Sequence, residues 1–514
     1  MYTIKIFLSI YLLISFSLNI SGASNESVYV KIDDLKIIGK HNKLFGVEEY
    51  LGIPFAQPPI DDLRWEKPVP WVSKKKYINA KNFKPACMQT PSIVNWYKRL
   101  VETFGYDSDT FASPEFSEDC LYLNIWKPSN SKRDLPVIVY IHGGSNEAGW
   151  SYEPNYRGYN IANKDVILVS IPYRLGIFGY FSHPKMQHNN LALYDQVLAL
   201  NWIQNYITNF GGDPSNVTIM GESAGAMSIE YLMVSPLSKN TFSKAIHQSG
   251  GVPLIYPTLK TDAQNQAIKF EKYFFNEYTG NVLNELKKID SNEILKAVEE
   301  VYSEEFFDFV EDGITIIEPL MESFKKGNIH PVDLIIGANN DEWSLYHDDN
   351  VDVNKWLDEE TTPEQKEKLL NLFKDIDDPL RKMDLLLTSQ SYVCPSLIIA
   401  KSVKNKNRQA WVYQFNRVRD NDLAKTFGAY HGAELPYVFN THDEWLPTNK
   451  KDIDLTDDIQ DYWISFARYG NPNSDRTSEW LPYDAKNKYT QILDVKSYSV
   501  EHPSQKICEI MQIY

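Results

Sequence analysis

Short runs of consecutive apolar residues recur along the chain: VIVYI at 137–141, VILVSI at 166–171, VTIM at 217–220, AIH at 245–247, LII at 334–336 and AWVYQF at 410–415. Runs of this length, bounded by turn residues, predict strands covered on both faces. Between several of them the period changes. At 191–207 apolar residues return every three or four positions, which predicts a helix. Alternating strand and helix predicts an α/β fold, with a mostly parallel central sheet flanked by helices and functional residues at the strand C-termini. Residues 255–327 are richer in charged and aromatic residues and lack clear strands. That stretch predicts helical insertions over the sheet that wall a pocket.

At 514 residues the length admits two or three average domains, but large α/β enzymes often keep one sheet with inserted loops, and we read one domain over 24–514. Apolar residues at 43% and aromatics at 13% supply a substantial core, while a net charge of −16 argues against nucleic acid as a partner. The N-terminus carries Lys5, an apolar run at 6–20, then Ser21, Gly22 and Ala23, the layout of a secretory signal peptide over 1–23. A secreted, extracellular chain is expected, and no later apolar segment is read as reaching the eighteen or so residues of a membrane span. Four cysteines in an exported chain predict pairing, with three connectivities open. Of the two sequons, Asn25 lies in the new N-terminus and Asn216 opens a strand, a poor position for an acceptor.

The stretch FGGDPSNVTIMGESAG, at 210–225, sets Ser223 between a strand and a helix with Gly221 and Gly225 two residues to either side. Glycines there let the two backbones pass closely, while the serine occupies a strained turn that lifts its hydroxyl clear of the sheet. A serine hydroxyl needs a general base and a third group to orient that base. Among ten histidines, His431 is the best base, because it lies in the loop GAYHGAE after the strand at 410–415; His247 reads as core, and His142 as a residue that orients its loop. For the acid, the strand VDLIIGA runs into Asn339, Asn340, Asp341 and Glu342, and both carboxylates fit. The tetrahedral intermediate also needs backbone N–H donors aimed at its oxyanion, which glycine-bearing strand ends supply.

Long motifs then resemble one family. FGGDPSNVTIMGESAG and EDCLYLNIWKP (118–128) resemble the two signatures of type-B carboxylesterases and cholinesterases, and further matches, such as IPYRLGIFGYFSHP, AYHGAELPYVF and FARYGNPN, run along nearly all of the chain after the leader. The resemblance implies the α/β-hydrolase fold, hydrolysis of small carboxylic esters by Ser223, Glu342 and His431 through an acyl-enzyme, and no metal or organic cofactor. It selects Glu342 over Asp341, which is left as a surface or turn residue, although Trp343 stands where the family has glycine. It implies oxyanion donors at Gly144, Ser145 and Ala224; Ser145 replaces the usual glycine or alanine, and with Asn146 is expected to make that wall more polar. Glu222 and Ser249 are implied to lie beside the triad, and Arg64 with Glu118 and Arg174 with Asp195 to be structural ion pairs. Disulfides Cys87 to Cys120 and Cys394 to Cys508 are implied as well.

Other readings on the same fold are a non-catalytic adhesion or scaffold protein, a lipase and a cholinesterase. Retention of Ser223, Glu342 and His431 counts against the first. Thr110 stands where the cholinesterases hold a gorge tryptophan, which removes the best platform for a quaternary ammonium and leaves Trp96 as a substitute. The loop between Cys87 and Cys120 mixes Trp96, Tyr97, Phe104 and Phe111 with charges, so it leaves lipase activity and acyl-chain length open. Phe306, Phe307 and Phe309 are candidates for an acyl pocket, and the sequence assigns no oligomeric state.

Overall fold

The computed structural model describes residues 26–513 except 131, 276–279, 304 and 347–350. The stretch 1–23, read above as a signal peptide, and Asn25 lie outside the described residues.

Three antiparallel strands come first among the described residues, β1 (Ser27–Ile32), β2 (Leu35–Asn42) and β3 (Val47–Pro54), with a short β4 (Tyr77–Asn79) against β2. Two-residue strands β5 (Ala86–Cys87) and β6 (Phe116–Ser117) pair apart from the main sheet, near the Cys87 to Cys120 disulfide. Then follow β7 (Tyr122–Pro128), β8 (Leu135–Ile141), β9 (Ile167–Ile171), β10 (Gly212–Glu222), β11 (Lys244–Gln248), β12 (Asp333–Asn339), β13 (Ala410–Phe415), β14 (Tyr489–Leu493) and β15 (Tyr498–Glu501). The main sheet has 13 strands among the described residues, and its path runs β1-β2-β3-β7-β9-β8-β10-β11-β12-β13-β14-β15. From β9 to β14 every neighbour is parallel, and the antiparallel pairs lie at the two edges. All six apolar runs become adjacent members of that parallel centre.

Their continuous hydrophobicity follows from being covered on both faces. Side chains alternate across a strand, so Val137, Val139 and Ile141 of β8 join one core while Ile138 and Tyr140 join the other. Helix Leu191–Tyr206 packs into the first core through Leu193, Leu200 and Ile203, and helix Lys450–Tyr469 into the second through Leu455, Ile459 and Trp463. Residues 255–327 form helices Lys260–Phe274, Val282–Leu286, Ser291–Val301 and Leu320–Lys326, as the composition predicted.

One expectation is corrected. The stretch Pro379–Asn405 forms 27 helical residues with a mean hydropathy of 1.2, long and apolar enough to cross a membrane; 89% of its apolar window is nevertheless buried inside the fold. Its sequence reads shorter because a π-turn, Ser389–Val393, and Pro395 interrupt the α pattern. Both disulfides form as implied, Cys87 with Cys120 and Cys394 with Cys508.

Candidate active site

Ser223 directly follows β10 and precedes helix Ala224–Val234 with φ of 57° and ψ of −127°, a backbone region that costs a non-glycine residue about 1–3 kcal/mol. The turn closes only because its flanks lack side chains. A Cβ on Gly221 would meet the Gly225 carbonyl at 2.5 Å, and one on Gly225 would meet the Ile141 carbonyl oxygen at 2.0 Å. The helix N-terminus then faces the space above Ser223 with its positive end.

That space is a cavity of about 630 Å³ lined by Ser223, Glu222, His431, Gly144 and Ser145. Trp96 and Tyr97, from helix Ser92–Thr103, form part of its wall, so Trp96 does enter the pocket that the sequence left open to it. Of the three phenylalanines, only Phe306 lines this cavity; Phe307 and Phe309 are buried in the core.

Strand β12 leads into the candidate acid. Glu342 is fully buried, its Oε2 lies 2.6 Å from His431 Nδ1, and its Oε1 accepts from Ser249 Oγ at 2.6 Å and from the Asn339 amide at 2.6 Å. Trp343, in place of the family glycine, does not move the carboxylate out of reach, because its own amide is held by Asp384 Oδ1 at 2.9 Å. Tyr392, from the π-turn, tilts against the His431 ring at 5.5 Å and Tyr346 meets it edge-on at 6.4 Å.

Ser223 and His431 share the cavity but are not hydrogen-bonded to each other. The imidazole Nε2 instead lies 3.3 Å from Glu222 Oε1, near enough for an ion pair but not aligned as a hydrogen bond. Burial pushes Glu222 up to about 8, with the His431 charge pulling the other way. Burial also disfavours charge on His431, but the carboxylates of Glu222 and Glu342 outweigh it and raise the imidazole to about 9. The two groups compete for one proton, and the direction for the histidine is upward.

In the same cavity the amides of Gly144 and Ser145 donate to no acceptor among the described residues, and Ala224, first in its helix, presents a third amide. His142 is buried, with Nδ1 2.8 Å from the Gly143 carbonyl and its ring stacked on Tyr173, as befits a loop-orienting residue. Burial holds it down to about 4. His247 is a core residue, paired with buried Glu230 at 2.7 Å. Arg64 to Glu118 and Arg174 to Asp195 pair as expected, at 2.7 and 2.8 Å. Asn216 donates to the Arg468 carbonyl and accepts from Lys244, so both ends of its amide are engaged.

Two expectations change. Asp341 is more than a turn residue: it pairs with Arg381 and accepts the Ala429 amide at 2.7 Å, which fixes the start of the His431 loop. Asn146 does not make the cavity wall polar, being 1% exposed and turned into the fold, whereas Ser145 does face the cavity. Sequence reasoning also missed Asn339 and Glu434. Asn339 Nδ2 donates to the Tyr430 carbonyl and to Glu434 Oε2, both at 2.7 Å, and Gln248 Nε2 donates to Glu434 Oε1 at 2.8 Å, so β11, β12 and the His431 loop are tied together beneath the acid. The available signal was the polar pair Asn339 and Asn340 at a strand end beside the candidate acid.

This architecture is that of the α/β hydrolases. A solved PNB esterase superposes with a TM-score of 0.81 at 29% identity, covering 94% of this chain and 99% of that one. A carboxylesterase of Geobacillus stearothermophilus does so with 0.81 at 26%, covering 94% and 100%. In sequence the chain is 32% identical to carboxylesterase 1E of Rattus norvegicus over 89% of this chain and 88% of that one, and 32% identical to para-nitrobenzyl esterase of Bacillus subtilis over 87% and 91%. The family model described as the carboxylesterase family matches residues 26–510, and the chain belongs to that family, as a carboxylic-ester hydrolase.

Proposed function

We propose that the protein is a secreted serine esterase that cleaves small carboxylic esters through an acyl-enzyme. The observation that carries this reading is the hydrogen-bonded line from Ser249 through Glu342 to His431, which ends in the cavity that Ser223 enters. His431 Nε2 removes the proton as Ser223 Oγ attacks the ester carbonyl, and Glu342, at Nδ1, holds the required tautomer. The tetrahedral oxyanion is received by the amides of Gly144, Ser145 and Ala224, each typically worth about 3 kcal/mol in the transition state. Collapse breaks the bond to the alcohol, which leaves with the proton from His431. Water then attacks the acyl-serine by the same route and releases the acid. The Ser223 to His431 hydrogen bond forms with substrate in place, as is common for catalytic contacts that tighten on binding.

Export is supported by the leader's composition and by the use of all four cysteines in disulfides, which suits an oxidising compartment. The test is hydrolysis of p-nitrophenyl butyrate by the wild type and by a folded Ser223→Ala variant. Loss confined to the variant is expected; equal rates would overturn the serine mechanism.

A further inference from the structure

Asn146 follows the proposed oxyanion donors directly, and its side chain has no access to the cavity. Gly144, Ser145 and Asn146 take φ of 110°, 56° and 61°, three successive residues in the left-handed region. Only the first is a glycine, so the backbone here is strained and needs support from outside the loop. Asn146 supplies three ties. Its Nδ2 donates to the Phe307 carbonyl at 2.8 Å, its Oδ1 accepts from Tyr180 Oη at 2.9 Å, and its own carbonyl accepts from the Gly176 amide at 2.7 Å.

The far end of the first tie is itself anchored. Asn190 exchanges two bonds with Val310, at 2.7 and 2.9 Å, and Tyr231, in the helix that begins after Ser223, donates to Asp308 at 2.8 Å. Residues 306–310 are thus pinned on three sides, and Phe306 at their start lines the cavity. The oxyanion loop and this wall are joined through one amide side chain.

We infer that Asn146 is a positioning residue that aims the amides of Gly144 and Ser145 at the developing oxyanion and registers them against the wall carried by Phe306. This rests on the reading of Ser223 as nucleophile. Those amides act on charge that appears only in the transition state, so a mis-aimed loop lowers kcat and leaves KM nearly unchanged.

The test compares Asn146→Gly with Asn190→Gly in the full chain. Glycine tolerates positive φ, so each variant removes side-chain bonds without adding backbone strain. Asn190 is the control: its φ is 56°, its side chain holds the same segment at Val310 and also donates to Thr315 at 2.7 Å, and its bonds go to neither Gly144 nor Ser145. Both should lose comparable thermal stability. Asn146→Gly should lose about tenfold in kcat on p-nitrophenyl acetate, with KM within about twofold, and should weaken by the same factor toward a trifluoromethyl ketone, whose serine adduct carries the oxyanion. Asn190→Gly should keep both within about twofold. Asn146→Asp keeps the acceptor for Tyr180 but turns a buried carboxylate oxygen toward the Phe307 carbonyl, so a loss of kcat at least as large as that of the glycine variant is expected, and it checks the result if the glycine variant folds poorly. Normal kcat in both Asn146 variants, or losses matched by Asn190→Gly, would overturn the proposal alone. A Ser223→Ala enzyme with wild-type activity would overturn it together with the reading beneath it.

Discussion

Glu222 Oε1 stands 3.3 Å from His431 Nε2, the nitrogen to which the proposed mechanism gives the Ser223 proton. A negative charge there stabilises imidazolium, yet a general base must be neutral. With His431 raised to about 9 by its two carboxylates against the effect of burial, the basic form is populated late, so kcat/KM should climb as pH rises well past the ordinary histidine value near 6.5. Glu222→Gln removes one of the charges and should move this limb toward acid by about one unit or more. A pH profile of kcat/KM for both proteins checks this, and superimposable limbs would refute the coupling.

Ser249 holds Oε1 of the Glu342 carboxylate, while Oε2 meets His431. Ser249→Ala leaves Glu342 Oε1 with the Asn339 amide as its remaining donor. A buried hydrogen bond to a charged group is worth about 1.5–3 kcal/mol, so a fall in stability within that range is expected from denaturant titration. The loosened carboxylate should also let the imidazole drift, lowering kcat more than it raises KM. Wild-type kcat in a destabilised variant would leave Ser249 a purely structural role.

The path from sequence to site was uneven for physical reasons. Doubly covered parallel strands are apolar throughout, so the runs at 137–141 and 334–336 stand out; β1, an edge strand whose positions alternate between exposed and half-buried, carries no such apolar run. Ser223 and His431 sit in short glycine-marked turns where backbone geometry constrains sequence. Asn339, Glu434 and Asp341 act through partners about 90 residues away, at Tyr430, Asn339 and Ala429, and long-range pairing leaves no local pattern. Asn146 was misread because polarity marks a residue as wet when its neighbours are unknown, although buried polar groups are normally hydrogen-bonded.

The two disulfides should differ in what they contribute. Cys394 and Cys508 are 114 residues apart and Cys87 and Cys120 are 33 apart. In the chain-entropy account the longer closure stabilises by about 4.8 kcal/mol and the shorter by about 3.7 kcal/mol. Replacing the first pair by serine should therefore lower Tm further than replacing the second. It should also lower kcat, because Cys394 directly follows the π-turn that presses Tyr392 against His431. Thermal unfolding and steady-state rates on the two double variants check both points.

Acyl-chain preference should turn on Phe306. It lines the main cavity of about 630 Å³ and also a neighbouring one of about 230 Å³, and is thus a partition between them. The second cavity is bounded by Tyr180, Tyr302 and Phe307 together with Asp262 and Glu305, so it offers apolar wall beside polar floor. Truncation in Phe306→Ala joins the two spaces. Each methylene that gains burial contributes about 0.8 kcal/mol, close to fourfold in kcat/KM. Across a series of p-nitrophenyl esters the variant should therefore shift its optimum to longer acyl chains by two or three carbons, with acetate hydrolysis little changed because a short acyl group does not reach the partition. A series whose optimum stays put while all rates fall together would show that Phe306 shapes the site as a whole and does not limit the chain.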